Sequence, residues 1–176
     1  TIDRADYSND TATAVAKGPL SVSRHYLTAC SSRANGIPLK GPGILEVAVS
    51  LGAFSRNFGP QGTDFGYFGG GGPAPVFSTV DRIDYSNDTA TTAVKGPLSL
   101  ARFNLRAAGN ASFGYFGRGA VGVDTKSTVD RIDYSNDSAT AVVKGPLSLA
   151  RTWSSATGNE NFGYFGGGYD SKSTVD

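Results

Sequence analysis

Three short motifs recur in the same order along this chain, and the repetition limits what the chain can fold into. DYSND begins at Asp6, Asp84 and Asp133; KGPLS begins at Lys17, Lys95 and Lys144; FGYFG begins at Phe65, Phe113 and Phe162. The second and third copies of each motif lie 49 residues apart. A repeat of this length is typical of arrays in which each unit buries its apolar face only against its neighbours. The sequence therefore predicts one tandem array over residues 1–176.

The first unit is longer than the other two. Between the first and second copies, DYSND and KGPLS are 78 residues apart, whereas FGYFG is 48 residues apart. An insertion of about 30 residues near 31–61 accounts for the difference. It contains its own LKGP and the apolar run ILEVAV, so it is either a degenerate half-unit or a decorated loop. We divide the array into units of approximately 1–77, 78–126 and 127–176.

Each unit contains four short segments that favour extended structure, as the third unit illustrates. STVDRID, from Ser127, is rich in β-branched residues and ends at YSND, whose side chains favour a turn. SATAVV is ended by KGP, because glycine and proline interrupt strands. TWSSAT and ENFGYF follow, with the hairpin signal Gly158-Asn159 between them.

Composition and periodicity agree with an all-β fold. Glycine accounts for 24 of the 176 residues and aromatic residues for 11%, which suits short strands joined by tight turns. No apolar stripe with the 3.6-residue period of a helix runs longer than two turns. Four strands in about 48 residues is the size of one β-propeller blade, a four-stranded antiparallel sheet. FGYFG places large rings on both faces of its strand, so both faces need cover from neighbouring blades.

The order of these motifs resembles the kelch repeat over essentially the whole chain apart from the insertion. In that repeat, a V-x-x-Y/I-D strand, a polar turn and a short strand precede a segment from proline to arginine, a hairpin and an aromatic strand that closes on a double glycine. The matching positions are Arg24, Arg102 and Arg151 for the arginine, and Gly69-Gly70 and Gly166-Gly167 for the double glycine. The chain also resembles kelch-like tandem repeats in tail-fibre and other structural proteins of marine phages.

Two features depart from the kelch pattern. The tryptophan that is usual in the strand after the turn is absent, with Ala12, Ala90 and Ala139 in its neighbourhood. The second copy has Gly117-Arg118-Gly119 where a double glycine is expected.

The resemblance implies a β-propeller of about three blades, if the last inner strand pair accepts the first outer pair. Closed rings usually contain roughly four to eight blades. Either two copies of the chain close a six-bladed ring, which leaves no open edge strand, or the chain belongs to a longer array. The sequence leaves both alternatives open.

The repeated arginine and the residues that follow it are the candidate binding positions. We expect Arg24, Arg102 and Arg151 either to form ion pairs between blades or, as the kelch resemblance implies, to face a central channel and contact a partner. The aspartates considered for the ion pairs are Asp84 and Asp133. Aromatic side chains after the arginines give large contacts at little loss of entropy. The predicted recognition residues are Tyr26, Phe103 and Trp153.

Other motifs favour structural roles over catalysis or cofactor binding. His25 is the only histidine and Cys30 the only cysteine, and nothing nearby marks a nucleophile, so no catalytic residue is predicted. The glycine run 69–72 lacks the Lys-Ser/Thr of a phosphate loop. DYSND alternates like a calcium loop but lacks that loop's glycine and bidentate acid, so it is predicted to cap a turn. We expect no metal and no cofactor.

Charge and hydropathy narrow the possible partners. The net charge of +1 is spread along the chain, so no nucleic-acid or anionic-lipid footprint is predicted. No run approaches eighteen apolar residues, so no membrane span is predicted. The N-glycosylation pattern, which matters in a secreting eukaryote, occurs at Asn9, Asn87, Asn110 and Asn136.

These observations predict a non-enzymatic structural or interaction module, a kelch-like β-propeller of an extracellular or virion assembly. Its expected partners are further copies of itself or the continuation of a longer repeat chain, with a protein or glycan as a possible ligand. The alternative is a lectin-like carbohydrate-binding propeller with one pocket per blade.

Overall fold

The computed structural model describes residues 2–6, 8–9, 11–31, 65–72, 74–168 and 175–176. Within these ranges the protein is all-β, as the sequence predicts, with two single-turn 3₁₀ helices and no α-helix. The strands are β1 (Asp3–Arg4), β2 (Val15–Ala16), β3 (Thr28–Ser31), β4 (Phe65–Gly69), β5 (Val80–Asp84), β6 (Ala93–Lys95), β7 (Arg106–Gly109), β8 (Phe113–Gly117), β9 (Ala120–Val121), β10 (Asp124–Thr125), β11 (Val129–Asp133), β12 (Val142–Lys144), β13 (Ser154–Gly158) and β14 (Gly163–Gly167). The predicted insertion near 31–61 lies almost entirely outside the described residues.

Strands β3, β4, β5 and β6 form the first sheet, an antiparallel meander in which each strand pairs with the next. FGYFG of β4 pairs along its whole length with VDRID of β5, from Phe65 opposite Asp84 to Gly69 opposite Val80. After β5, the Asp84 carboxylate accepts hydrogen bonds from the backbone N–H and the hydroxyl of Ser86 and caps a 3₁₀ turn. The predicted turn-capping role of DYSND is therefore confirmed.

The second sheet repeats the first, with β7, β8, β11 and β12 in the same order. FGYFG again pairs with VDRID, from Phe113 opposite Asp133 to Gly117 opposite Val129. A small hairpin of β9 and β10 lies between β8 and β11 in the chain. Each four-stranded sheet thus joins the last two strands of one sequence unit to the first two strands of the next.

The remaining strands form two pairs that correspond to halves of a sheet. β1 pairs with β2 as β5 pairs with β6, and β13 pairs with β14 around the predicted turn at Gly158-Asn159. Val175 bridges to Gly166 of β14, just as the valine of VDRID pairs with the last glycine of FGYFG in both complete sheets. Apart from the β9–β10 hairpin, the described strands thus form two complete sheets and two halves, and they do not close into a ring.

The first and second sheets pack face to face, and the buried core lies between them. Tyr67 of β4 is fully buried, and its ring stacks on that of Tyr134 with centroids 4.8 Å apart and an interplanar angle of 15°. Other buried apolar residues of this core are Val80, Leu98, Leu105, Phe116, Ile132 and Ala141. Each sheet therefore supplies cover for the next, because neither face could otherwise remove its rings from water.

The last glycine of FGYFG receives an aromatic ring from the following sheet. A Cβ at Gly69 would lie 2.6 Å from the ring of Phe116, and a Cβ at Gly117 would lie 2.9 Å from the ring of Phe165. Because a larger residue would push the sheets apart, glycine is required at these close approaches. The inner strands β3, β7 and β13 are neighbours in the same succession. The stacking therefore follows one rule from sheet to sheet.

Substitution of the ring that fills this space tests the packing. We expect Phe116→Ala, at a fully buried side chain, to lower the free energy of unfolding by about 3–5 kcal/mol. Phe68→Ala is the matched control, since Phe68 holds the same place in FGYFG of β4 but is only half-buried. Denaturant unfolding of the two variants should give a clearly larger loss for Phe116→Ala, and equal losses would contradict this account of the interface.

Candidate functional site

Each of the three repeated arginines forms a buried ion pair with an aspartate. The distances from guanidinium nitrogen to carboxylate oxygen are 2.7 Å for Arg24–Asp81, 2.5 Å for Arg102–Asp130 and 2.9 Å for Arg151–Asp176. In the first two pairs, no part of either side chain is exposed to solvent. Two charges taken out of water in this way depend on each other, because either one alone would be strongly destabilising.

Backbone carbonyls accept further hydrogen bonds from two of these guanidinium groups. Arg24 donates to the carbonyl of Gly70 at 2.8 Å and to that of Phe68 at 3.2 Å. Arg102 donates to the carbonyls of Arg118 and Thr128 at 3.0 and 2.9 Å. Burial lowers the pKa of Arg102, although the neighbouring carboxylate favours the charged form. The arginines therefore fasten the segment that precedes each inner strand to the sheet it enters.

The ion pairs use different aspartates from those considered in the sequence. Asp84 and Asp133 do not pair with the repeated arginines; they cap turns, where hydrogen bonds from Ser86 and Ser135 hold the pKa of each carboxyl below its ordinary value. The partner is instead the first aspartate of VDRID, three residues earlier. Because side chains along a strand alternate between its two faces, this aspartate faces the arginine. The repeated arginines thus form ion pairs, but the expected aspartates and the expected location between blades are both wrong, because Arg24–Asp81 and Arg102–Asp130 each lie within one sheet and the segment that enters it.

Arg118, which marked a departure from the double glycine, is itself buried and paired. It donates to the carbonyl of Phe165 at 2.6 Å and lies in contact with the carboxylate of Asp176, which Arg151 also binds. Its φ of 64° matches the 69° of Gly70 and the 73° of Gly167 at equivalent positions. A left-handed non-glycine residue is strained by about 1–2 kcal/mol, so the contacts of Arg118 offset a local conformational cost.

The glycine run 69–72 holds no open anion cradle among the residues described. The N–H of Gly70 donates to the carbonyl of Thr79 at 3.0 Å, and the N–H of Gly71 donates to that of Arg102 at 2.9 Å. The N–H of Gly72 donates to the carbonyl of His25 at 2.9 Å. Because these donors are already bonded within the fold, the run serves close packing of backbone segments.

Aromatic side chains from three successive copies meet at one place. The ring of Tyr26 lies 4.6 Å from that of His25, 6.2 Å from that of Phe103 and 6.1 Å from that of Trp153, measured between centroids. We call these four residues the aromatic cluster. Tyr26 is 45% exposed and Trp153 is 57% exposed. The cluster thus joins all three sequence-predicted recognition residues in one partly open surface.

Two aromatic residues of the cluster have a left-handed backbone conformation. Tyr26, Asn104 and Trp153 each lie two residues after a repeated arginine, and their φ angles are 55°, 56° and 57°. Phe103 lies one residue after its arginine, so it is the equivalent of His25 and not of Tyr26. Aromatic residues rarely adopt the left-handed backbone conformation, with φ of about +60°, and those that do are strained. Backbone strain of this kind is concentrated at functional sites. The sequence did not reveal this conformation because asparagine, tyrosine and tryptophan share no local motif.

The environment of Cys30 keeps its thiol protonated. Burial raises the pKa of the Cys30 thiol to about 12, so the thiol stays protonated at neutral pH. No group of three or more His, Cys, Asp or Glu side chains that could hold a metal ion occurs within the described ranges. The same part of the chain has no helix long and apolar enough to cross a membrane.

The four asparagines of the glycosylation pattern lie in turns. Asn9, Asn87 and Asn136 are exposed. Asn110 is half-buried, and its side-chain oxygen accepts hydrogen bonds from the backbone N–H groups of Ser112 and Phe113. Their modification stays a prediction.

Removal of one charge from a buried pair tests the structural role of the arginines. We expect Asp130→Asn to lower the free energy of unfolding by about 3–5 kcal/mol, because Arg102 would keep a buried charge without a counterion. Asp133→Asn, three residues later at a turn open to solvent, is the control and should cost less. Urea unfolding measures both, and a loss at Asp130 no greater than that at Asp133 would refute a structural role for the pair.

No protein-family model matches the chain, and no curated protein sequence is similar to it. The kelch resemblance therefore contributes to a proposal and does not assign a family.

Proposed function

We propose that the chain is a non-enzymatic structural module, a kelch-like β-propeller or part of one, whose sheets associate with further copies of the same fold. The observation that carries this proposal is the repeated stacking: the glycine of one FGYFG accepts the phenylalanine of the next at Gly69 and again at Gly117. A surface that matches its own repeat is suited to assembly from identical parts. The resemblance adds the setting, an extracellular or virion assembly.

Two further features support a structural role over an enzymatic one. The identical parts of the repeats are used within the framework, since Arg24 and Arg102 are both committed to buried ion pairs. The thiol of Cys30 is held protonated by burial. These repeated arginines thus have partners inside the fold, which suits a scaffold better than a single reactive centre.

The oligomeric state in solution tests this proposal. One chain has a mass of 18.2 kDa, and we expect sedimentation velocity to show a species of at least twice that mass whose population rises with protein concentration. A species of single-chain mass throughout the micromolar range would contradict a function based on homotypic assembly.

A lectin-like function is the second candidate, and the aromatic cluster favours it. Exposed aromatic rings are suited to the apolar faces of sugar rings, because they give large contact areas with little loss of side-chain entropy. Tyr26 and Trp153 come from different copies and lie 6.1 Å apart at an angle of 71°. This arrangement makes one composite site, in contrast to the one pocket per blade expected from the sequence.

Replacement of Trp153 by the residue of the neighbouring copy separates binding from folding. Trp153→Asn introduces the side chain that Asn104 supplies at φ 56°, so the left-handed backbone is retained with less strain than tryptophan has there. If the cluster binds glycans, this variant should lose at least about tenfold in affinity on a glycan array while its thermal midpoint stays within a few degrees of the parent. Unchanged glycan binding, or no glycan binding by the parent protein, would eliminate the lectin-like candidate.

A further inference from the structure

The two sheets are joined at their outer ends by a docked DYSND turn. Asp137 is the last residue of the third DYSND. Its carboxylate forms ion pairs with Arg82 at 2.8 Å and Lys95 at 3.1 Å and accepts a hydrogen bond from the Tyr67 hydroxyl at 3.0 Å, all from the first sheet. The carbonyl of Asp137 also accepts the N–H of Gly96 at 2.8 Å. A cationic pair, a tyrosine and a glycine thus form the receiving surface.

The second DYSND docks on the strand pair β1–β2 in the same way. The carboxylate of Asp88 forms ion pairs with Arg4 at 2.7 Å and Lys17 at 3.2 Å. Its backbone carbonyl accepts a hydrogen bond from the N–H of Gly18 at 2.8 Å. Burial alone would raise the pKa of Asp88, but the two cations outweigh it and hold the pKa below its ordinary value. The receiving surface therefore has a fixed composition, an arginine, a lysine and the glycine of KGP.

The glycine of KGP explains why the fit is close. A Cβ at Gly18 would lie 1.7 Å from the carbonyl oxygen of Ala90, and a Cβ at Gly96 would lie 1.9 Å from that of Ala139. These contacts are far inside van der Waals distance, so no other residue type could stand there without displacing the docked turn.

The second sheet carries a third receiving surface, and no described residue fills it. Arg131, Lys144 and Gly145 occupy the positions of Arg82, Lys95 and Gly96, and Tyr115 occupies that of Tyr67. A Cβ at Gly145 would have no described atom within 4 Å, and within the described ranges neither Arg131 nor Lys144 has an ion pair. A groove of about 330 Å³ is lined by Tyr115, Lys144 and Gly145.

The arginine of this surface is already placed as in a filled one. The guanidinium of Arg131 lies over the ring of Phe113 at 4.2 Å, as that of Arg82 lies over Phe65 at 3.9 Å. Because the cation is held in place before any turn arrives, little side-chain entropy is lost on docking.

We propose that this third receiving surface, in which Tyr115, Lys144 and Gly145 line the groove and Arg131 pairs with Tyr115 across the strands, binds the DYSND turn that begins at Asp6 of a second copy of this chain. The proposal rests on the proposed structural function and identifies the contact that joins the copies. The occupant brings a carboxylate to two cations, a tyrosine ring to Tyr115 and a backbone carbonyl to the N–H of Gly145.

The first DYSND is the copy of the motif that the described contacts leave exposed. Its Asp6 carboxylate accepts the N–H of Ser8 at 2.9 Å and the Ser8 hydroxyl at 2.7 Å, the same bonds that shape the two docked turns. Asp6, Ser8 and Asn9 are all exposed. The described part of this turn therefore already has the hydrogen bonds between aspartate and serine that are present in the docked turns.

Substitution at Gly145 tests the groove without disturbing the folded chain. Gly145→Val should leave the thermal midpoint of the single chain unchanged, because its side chain enters open space, yet it should lower the association constant of the copies by about tenfold or more. Gly96→Val, the matched variant at a filled surface, should lower the thermal midpoint. Ser155→Val, exposed on β13, should change neither property. Differential scanning calorimetry and sedimentation velocity measure the two quantities.

A synthetic peptide of residues 129–144 tests the groove even where the copies do not associate. The peptide carries its own DYSND, and we expect it to bind the parent protein, to bind less tightly as salt is raised and to bind Gly145→Val at least about tenfold more weakly. The same peptide with Asp137→Asn should also bind more weakly, because it brings no carboxylate to Arg131 and Lys144. Isothermal titration calorimetry at two salt concentrations gives these values.

The outcomes separate the groove from the broader function. A multimer that is unaffected by Gly145→Val, with no peptide binding, would overturn the groove and leave the structural function standing. A monomeric parent that binds the peptide at Gly145 would show that the groove recognises a DYSND turn, but it would overturn both homotypic assembly and the second copy as the occupant. A monomeric parent that does not bind the peptide would overturn both.

Discussion

The buried pair of arginine and aspartate is the interaction on which the rest of the architecture depends. A guanidinium with no exposed surface, such as that of Arg102, requires a carboxylate and carbonyls at fixed positions, because an unpaired charge in this environment would cost several kcal/mol. Asp130 can meet that requirement only when VDRID is in register with FGYFG. The pair therefore couples three elements, the segment before an inner strand, the aromatic strand and the VDRID strand, and a slip of one residue would turn Asp130 to the other face of the sheet.

Shape complementarity then sets how closely the sheets approach. The alternation of FGYFG sends its tyrosine toward the following sheet and its second phenylalanine toward the preceding one, so a single strand contributes rings to two interfaces. Gly69 accepts the ring of Phe116, and Tyr67 stacks on Tyr134. Glycine and aromatic residues thus act as matched halves of one contact, which explains why the two residue types are enriched together in this chain. At the outer end of the same interface, Asp137 of the DYSND turn adds ion pairs with Arg82 and Lys95.

Much of the fold could be predicted from the sequence, because repeats, β-branched segments and turn residues are local signals. The strands of VDRID, the cap at Asp84 and the hairpin at Gly158-Asn159 all follow from such patterns and are present in the structure. The partners of the arginines could not be predicted in this way, since Asp81 and Asp84 are equally acidic and only the pleat decides which one faces Arg24. The convergence of Tyr26 with Trp153 depends on the stacking of sheets, which no single repeat encodes. Arg118 departs from the glycine pattern in sequence, yet its side chain binds the third copy, a contact that no local pattern indicates.

The comparison between copies separates framework from recognition on physical grounds. Residues that are the same in every copy, such as the arginine and the glycines, are buried in contacts that each sheet must repeat. Residues that differ, such as Tyr26, Asn104 and Trp153, share only a left-handed backbone, which the framework imposes on whichever side chain is present. Because the framework carries the stabilising contacts, these positions can exchange side chains at a modest change in strain, and the strain is smallest for asparagine. An aromatic residue is the costlier choice there, and its presence in two of the three copies is therefore better explained by what the exposed rings contact than by stability.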